Sequence, residues 1–149
     1  AAHTADIVHR DLKPANVMLV GGKAVLCDFG MAYAIDMGKV TATGAVLGSP
    51  SYMAPEQAKG FDCPPASDVY SVGVILYELL TNKLPHDAQT VGDILQAIAT
   101  KPVEPITEWR TDLPQAVVDV LSSMLKLNPD ERPSAAEARA KILEAADFG

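Results

Sequence analysis

Short apolar runs open this chain and helical patterns fill the rest of it. Residues 16–20 and 23–27 are β-leaning runs separated by Gly21-Gly22. Two residues that accept positive φ between such runs predict a tight hairpin. Apolar side chains stand on both faces, Val17, Leu19, Ala24 and Leu26 against Met18, Val20, Val25 and Cys27, so the pattern predicts cover on both sides. From 30 to 55 the chain reads mostly as loop, punctuated by Gly38, Gly44, Gly48 and Pro50. A loop that long inside a compact domain is uncommon and usually functional or mobile. Ser67 can cap a helix over 68–81, and Asn82 can take the left-handed position that stops it. Val69, Val72, Val74, Ile75, Leu76, Leu79 and Leu80 make that helix apolar almost all round, which predicts a place in the middle of the core. A second helix is predicted over 90–100. A third is predicted over 113–127, with Asp112 at its start and Gln115 three residues later. A last one opens on the capping box Ser134-Ala135-Ala136-Glu137. The expected class is α+β, mainly α: one hairpin, one long loop and a helical body.

Composition narrows this picture in a few places. The 149 residues are 48% hydrophobic, in the range of a soluble globular protein, and the length alone suggests one domain. An excess of 19 acidic over 12 basic residues argues against nucleic acid as a partner. Cys27 and Cys63 have neither C-x-x-C spacing nor a metal-type cluster around them, and read as reduced thiols. The richest apolar stretch, 69–80, is interrupted by Ser71 and Glu78 and falls short of the ~20 residues of a membrane helix. No signal peptide, repeat or low-complexity tract is visible. Residue 1 is Ala and the first Met is Met18, so the expectation is a piece of a longer chain.

The chemistry is concentrated in His9-Arg10-Asp11-Leu12-Lys13-Pro14-Ala15-Asn16, followed after the hairpin by Asp28-Phe29-Gly30. These residues resemble the catalytic loop and magnesium-binding loop of protein kinases. The hairpin supports the pairing physically. With Gly21-Gly22 as the turn, Asn16 falls opposite Cys27, so Asn16 and Asp28 come to one end although 12 residues separate them. An amide oxygen and a carboxylate there can ligate Mg²⁺, a hard cation that prefers oxygen. Strand alternation does not decide whether both side chains face the same way. The resemblance implies that Asp11 accepts the proton of the attacking hydroxyl and that Lys13 neutralises charge on the transferring phosphoryl group, in a reaction carried by positioning and electrostatics. It implies ATP and Mg²⁺ as cofactors, and makes His9 a packing residue.

Further segments extend the likeness. Asp11-Leu12-Lys13-Pro14 is similar to serine/threonine-specific kinases. Gly48-Ser49-Pro50-Ser51-Tyr52-Met53-Ala54-Pro55-Glu56 resembles the end of their activation segment, with Ser49 where Thr is usual and a hydroxyl expected to bridge Asp11 and Lys13. The likeness implies a buried ion pair of Glu56 with Arg132, in Arg132-Pro133. It also implies an anchor at Asp68, in Asp68-Val69-Tyr70-Ser71-Val72-Gly73, accepting backbone N–H groups of the catalytic loop. Glu78 contacts a basic substrate residue in some members of the family. Arg10, directly before Asp11, marks kinases switched by phosphorylation of the activation segment. Residues 40–48 resemble bacterial members in which threonines are autophosphorylated, which makes Thr41 and Thr43 the candidates. Relatives often hold that phosphate with a Lys or Arg after Phe-Gly; here Met31-Ala32-Tyr33 stands instead, leaving Arg10. Asn82 replaces a common Gly, and His86 replaces an apolar aromatic after Leu84-Pro85.

The likeness covers residues 1–149 as part of a kinase domain, whose full size is about 250–300 residues. The segment 9–30 holds the catalytic and magnesium loops, 30–56 the activation segment and 57–149 the helical body. The Gly-rich loop, the phosphate-gripping strand Lys and its Glu partner have no counterpart, so the N-terminal lobe is absent from these residues. The expectation is a lobe that transfers phosphate weakly or not at all by itself. Implied partners are proteins with Ser or Thr acceptors and ATP, with a homodimer for autophosphorylation. The implied location is cytoplasmic, and many bacterial relatives carry a membrane anchor outside the kinase domain. Two alternatives compete. Small-molecule phosphotransferases of this fold share the Asp and Asn of the loop but generally lack the Ala-Pro-Glu of residues 54–56. A truncated, catalytically dead lobe serving as a binding module is at odds with the intact Asp11, Lys13, Asn16 and Asp28.

Overall fold

The computed structural model describes residue 3 and residues 7–28 and 50–146. Thr41, Thr43 and Ser49, together with Phe29 and Gly30, lie outside the described residues. β1 (Val17–Val20) pairs antiparallel with β2 (Lys23–Leu26), Val20 facing Lys23 and Val17 facing Leu26. The turn between them has φ of 56° at Gly21 and 76° at Gly22, the left-handed pair that a two-residue hairpin of this twist requires. A Cβ at Gly22 would meet no atom within 4 Å, so the cost of a side chain there is all backbone. Gly22→Ala is expected to weaken the hairpin by about 1 kcal/mol, read as roughly fivefold faster amide exchange in both strands. Gly22→Asn, which tolerates this region, is expected to do less.

The predicted cover over the hairpin is not found among the described residues. Leu19 is 81% exposed, Val20 54% and Met18 53%. Both faces are apolar, but the hairpin is fastened at its base, where Cys27 N–H donates to the Asn16 carbonyl and His9 Nε2 meets the Cys27 carbonyl, not through its faces.

The helical body is built around α2 (Pro65–Thr81). Tyr70, Val74 and Tyr77 pack with Ala54, Ile106, Val118, Leu121 and Leu125, while Val69 packs with Val120, Met124 and Ala138. α4 (Gln115–Met124), with Leu125 that follows it, and α5 (Ala135–Ala146) supply most of these partners, Ala54 and Ile106 come from other segments, and α3 (Val91–Thr100) lies against the short helix α1 (Pro55–Ala58). Gly73 permits the close α2–α4 approach, since a Cβ there would sit 3.0 Å from Leu125 Cδ2 and 3.2 Å from Met124 Cβ. α2 is not enclosed throughout, because Leu79 is 74% exposed.

Three helix starts differ from the sequence reading. α2 begins at Pro65, behind Pro64, because proline suits the first helical position, where no N–H is needed. Ser67 therefore lies inside the first turn and its hydroxyl donates to Glu56 Oε1 at 2.6 Å instead of capping. α4 begins at Gln115, behind Pro114, and ends at Met124. Asp112 is occupied by a bidentate pair with Arg110, at 2.7 and 2.8 Å. Asn82 and Ser134 follow the sequence signals, while Thr90, read as the first helical residue, is the cap before α3. Asn82 stops α2 at φ 56°, Thr90 caps α3 by accepting Asp93 N–H, and Ser134 and Glu137 exchange reciprocal bonds at the head of α5.

Candidate active site

The site is assembled on the first turn of α2. Asp68 is buried there, and its carboxylate accepts His9 N–H at 2.8 Å and Arg10 N–H at 2.9 Å, with His3 Nε2 also at 2.8 Å. These bonds hold a strained backbone, since Arg10 has φ 69° and is not glycine. A left-handed non-glycine residue costs roughly 1–2 kcal/mol and persists only where its surroundings fix it. From the other side Gln57 Nε2 donates to the Arg10 carbonyl at 2.8 Å.

His9 is buried and bridges two segments. Its Nδ1 accepts Asp11 N–H at 3.3 Å, which assigns the ring proton to Nε2, the donor to the Cys27 carbonyl at 2.8 Å. One imidazole thus ties the loop carrying Asp11 to the strand end that leads into Asp28.

The turn Pro14–Asn16 folds the chain back on itself, with Asn16 N–H on the Lys13 carbonyl at 2.9 Å. Buried Asn16 then donates through Nδ2 to the Asp11 carbonyl at 2.7 Å and to Asp11 Oδ2 at 3.1 Å. Lys13 Nζ reaches the same oxygen at 2.9 Å. Asp11 is therefore fixed through one carboxylate oxygen and one main-chain oxygen. Its Oδ1 and the Asn16 Oδ1 make no hydrogen bond among the described residues. Asp28 follows Cys27 at the same end of the hairpin, exposed and at φ 59°.

The remaining sequence candidates form a second layer. Glu56 and Arg132 make a buried bidentate pair at 2.7 and 2.8 Å. Arg132 also donates to the carbonyls of Lys126, Ala66 and Leu127 and lies 5.0 Å from the Tyr70 ring centroid. Those five bonds match the five N–H donors of a guanidinium. Burial pushes the Glu56 pKa up, but the hydrogen bonds from Arg132 and Ser67 outweigh it and hold the carboxyl below its ordinary range. Glu78 accepts the Tyr52 hydroxyl at 2.7 Å, and burial together with Glu78 pushes that phenol up to about 12. Ser71 fastens the same segment by donating to the Tyr52 carbonyl.

Sequence reasoning missed His3, Tyr52, Gln57, Ser67 and Ser71 as partners of the site. Only Gln57 carried a local signal: a Gln at the third position of a helix reaches back to the N-cap, and its Oε1 does accept Ala54 N–H at 3.0 Å. The others act across long sequence separations that no local pattern encodes.

A loop of fixed acid, base and amide groups at a hairpin end, seated on the central helix, defines the class, and it is that of the kinase helical lobe. Residues 1–142 match the protein kinase domain, and the chain belongs to that family. Similar proteins include the serine/threonine-protein kinase PknA of Mycobacterium tuberculosis, 44% identical over 133 residues, covering 88% of this chain and 30% of PknA. The serine/threonine-protein kinase PkaA of Streptomyces coelicolor is 41% identical over 140 residues, covering 91% of this chain and 25% of PkaA. PrkC of Bacillus subtilis, also a serine/threonine-protein kinase, is 35% identical over 137 residues, covering 91% and 21%. The chain thus spans less than a third of the length of these relatives.

Proposed function

We propose that the chain is the catalytic lobe of a bacterial-type serine/threonine protein kinase that transfers the γ-phosphoryl group of ATP to Ser or Thr hydroxyls of proteins. The observation that carries the reading is the locked Asp11, with Lys13 and Asn16 on one carboxylate oxygen and no hydrogen bond to the other among the described residues. In this reading Asp11 orients that hydroxyl and takes its proton at Oδ1. Lys13, beside the carboxylate, offsets negative charge on the phosphoryl group in flight.

The donor set fits Mg²⁺. Asn16 spends its amide N–H₂ on Asp11 and keeps its oxygen for a cation, and Asp28 offers a carboxylate at the same hairpin end. One or two such oxygens with substrate phosphates and water suffice for this ion. The bound ion supplies charge neutralisation on the phosphate oxygens. Asp68, His9 and Gln57 hold the loop that presents Asp11. Glu56 and Arg132 fix the end of the activation segment to the helical body.

Regulation in this reading runs through Thr41 or Thr43, whose phosphate pairs with Arg10, and through phosphorylation between two copies of the chain. Ser49 is the candidate for the hydroxyl expected to bridge Asp11 and Lys13 in this reading. Glu78 is the candidate for a basic substrate residue, with Tyr52 as its resident partner. No helix among the described residues is long and apolar enough to cross a membrane.

The test is phosphotransfer from MgATP to a generic Ser/Thr-containing acceptor by the longest natural chain that contains these residues. Labelled phosphoserine or phosphothreonine is expected. No transfer, or phosphotyrosine alone, would overturn the reading.

A further inference from the structure

We infer that Gln57 is a positioning residue for Asp11, acting as a brace between the end of the activation segment and the strained residue before the catalytic base. This rests on the kinase reading of Asp11 proposed above. The carboxamide is used at both ends: Oε1 accepts Ala54 N–H at 3.0 Å and Nε2 donates to the Arg10 carbonyl at 2.8 Å, 47 residues away. Arg10 is the pivot. Its φ of 69° turns the chain so that the following residue, Asp11, can face Lys13 and Asn16. Asp68 fixes only the N–H side of this residue. The peptide that joins Arg10 to Asp11 begins at the carbonyl that Gln57 holds. A carbonyl free to swing would rotate the plane of that peptide, and with it the Asp11 N–H that now rests on His9 Nδ1.

Gln57 therefore transmits the position of α1, which follows directly on the activation segment, into the catalytic loop. Ala54 has no side-chain acceptor, so the bond from Gln57 is the side-chain part of the cap on α1. A carboxylate at 57 can keep that cap, because Glu and Gln serve equally at this helix position. It cannot donate to a carbonyl. Gln57→Glu thus removes one half of the brace and retains the other.

The experiment compares wild type, Gln57→Glu and Asp11→Asn in the longest natural chain, reading kcat and KM for ATP, thermal melting, and amide exchange at Arg10 and Asp11. Expected for Gln57→Glu are a kcat about tenfold lower, a KM within twofold, nearly unchanged melting, and exchange at both amides at least tenfold faster while α2 is unaltered. Unchanged exchange at Arg10 and Asp11, or a kcat within twofold of wild type, would overturn the brace. A wild type that transfers no phosphate, like Asp11→Asn, would overturn the kinase reading instead, and the exchange measurement alone would then decide whether Gln57 holds the loop.

Discussion

Asp11→Asn is expected to lower kcat for protein phosphorylation by about 10³-fold, within the range that general-base groups contribute, and to leave KM for ATP within a few-fold. The geometry explains why so small a change should cost so much. The wild-type carboxylate places Oδ2 between the Lys13 ammonium, at 2.9 Å, and the Asn16 amide, at 3.1 Å. Both are donors, so the single oxygen of an asparagine must take that place. Its NH₂ then occupies the position of Oδ1 and presents hydrogens to an incoming hydroxyl that also needs to donate. The variant has no acceptor for the proton and repels the productive orientation. The fold should be untouched, because the second Asn16 bond goes to the Asp11 main-chain carbonyl at 2.7 Å. Steady-state kinetics with melting measured in parallel check this. Activity within tenfold of wild type would remove Asp11 from the role of base.

That prediction draws on a part of the molecule that was legible in the sequence. The Gly21-Gly22 turn sets the register, and the register alone brings Asn16 and Asp28 to one hairpin end. The helix stop at Asn82 and the capping box at Ser134 were readable for the same reason, that each depends on a few adjacent residues. Legibility fails where a group has two competing uses. Ser67 and Asp112 both look like caps, but Ser67 is drawn to Glu56, 11 residues earlier, and Asp112 to Arg110, while prolines set both helix starts. The hairpin faces fail differently. Their apolar pattern reports a need for cover, and a pattern cannot say which residues provide it. The site partners His3 and Ser71 were invisible because they reach Asp68 and Tyr52 over 65 and 19 residues, and the local signal at Gln57 gives its bond to Ala54 but not the one to Arg10, 47 residues away.

Arg132→Ala is expected to be the most destabilising single change in the described residues, by about 3–5 kcal/mol, the usual cost of stranding one member of a buried ion pair. A loss of that size is a large share of a domain's typical stability and should lower the melting temperature by roughly 6–20 °C for a chain of this length. Three main-chain carbonyls, those of Lys126, Ala66 and Leu127, lose their donor together with Glu56. For that reason Glu56→Leu combined with Arg132→Met should not restore stability, although apolar replacement of a buried pair is often neutral. The pair also makes a pH prediction. Glu56 is held below the ordinary glutamate value of 4.5, so its contribution is complete above that value and is lost as pH falls through the lowered one. Glu56→Gln lacks this titration and should be the less stable protein at neutral pH, while losing less stability on acidification below about pH 4.5. Melting curves from pH 7 to pH 3 measure both effects. Parallel acid losses in the two proteins, or a double variant as stable as wild type, would show that the carbonyl-anchored pair does not hold the lobe together.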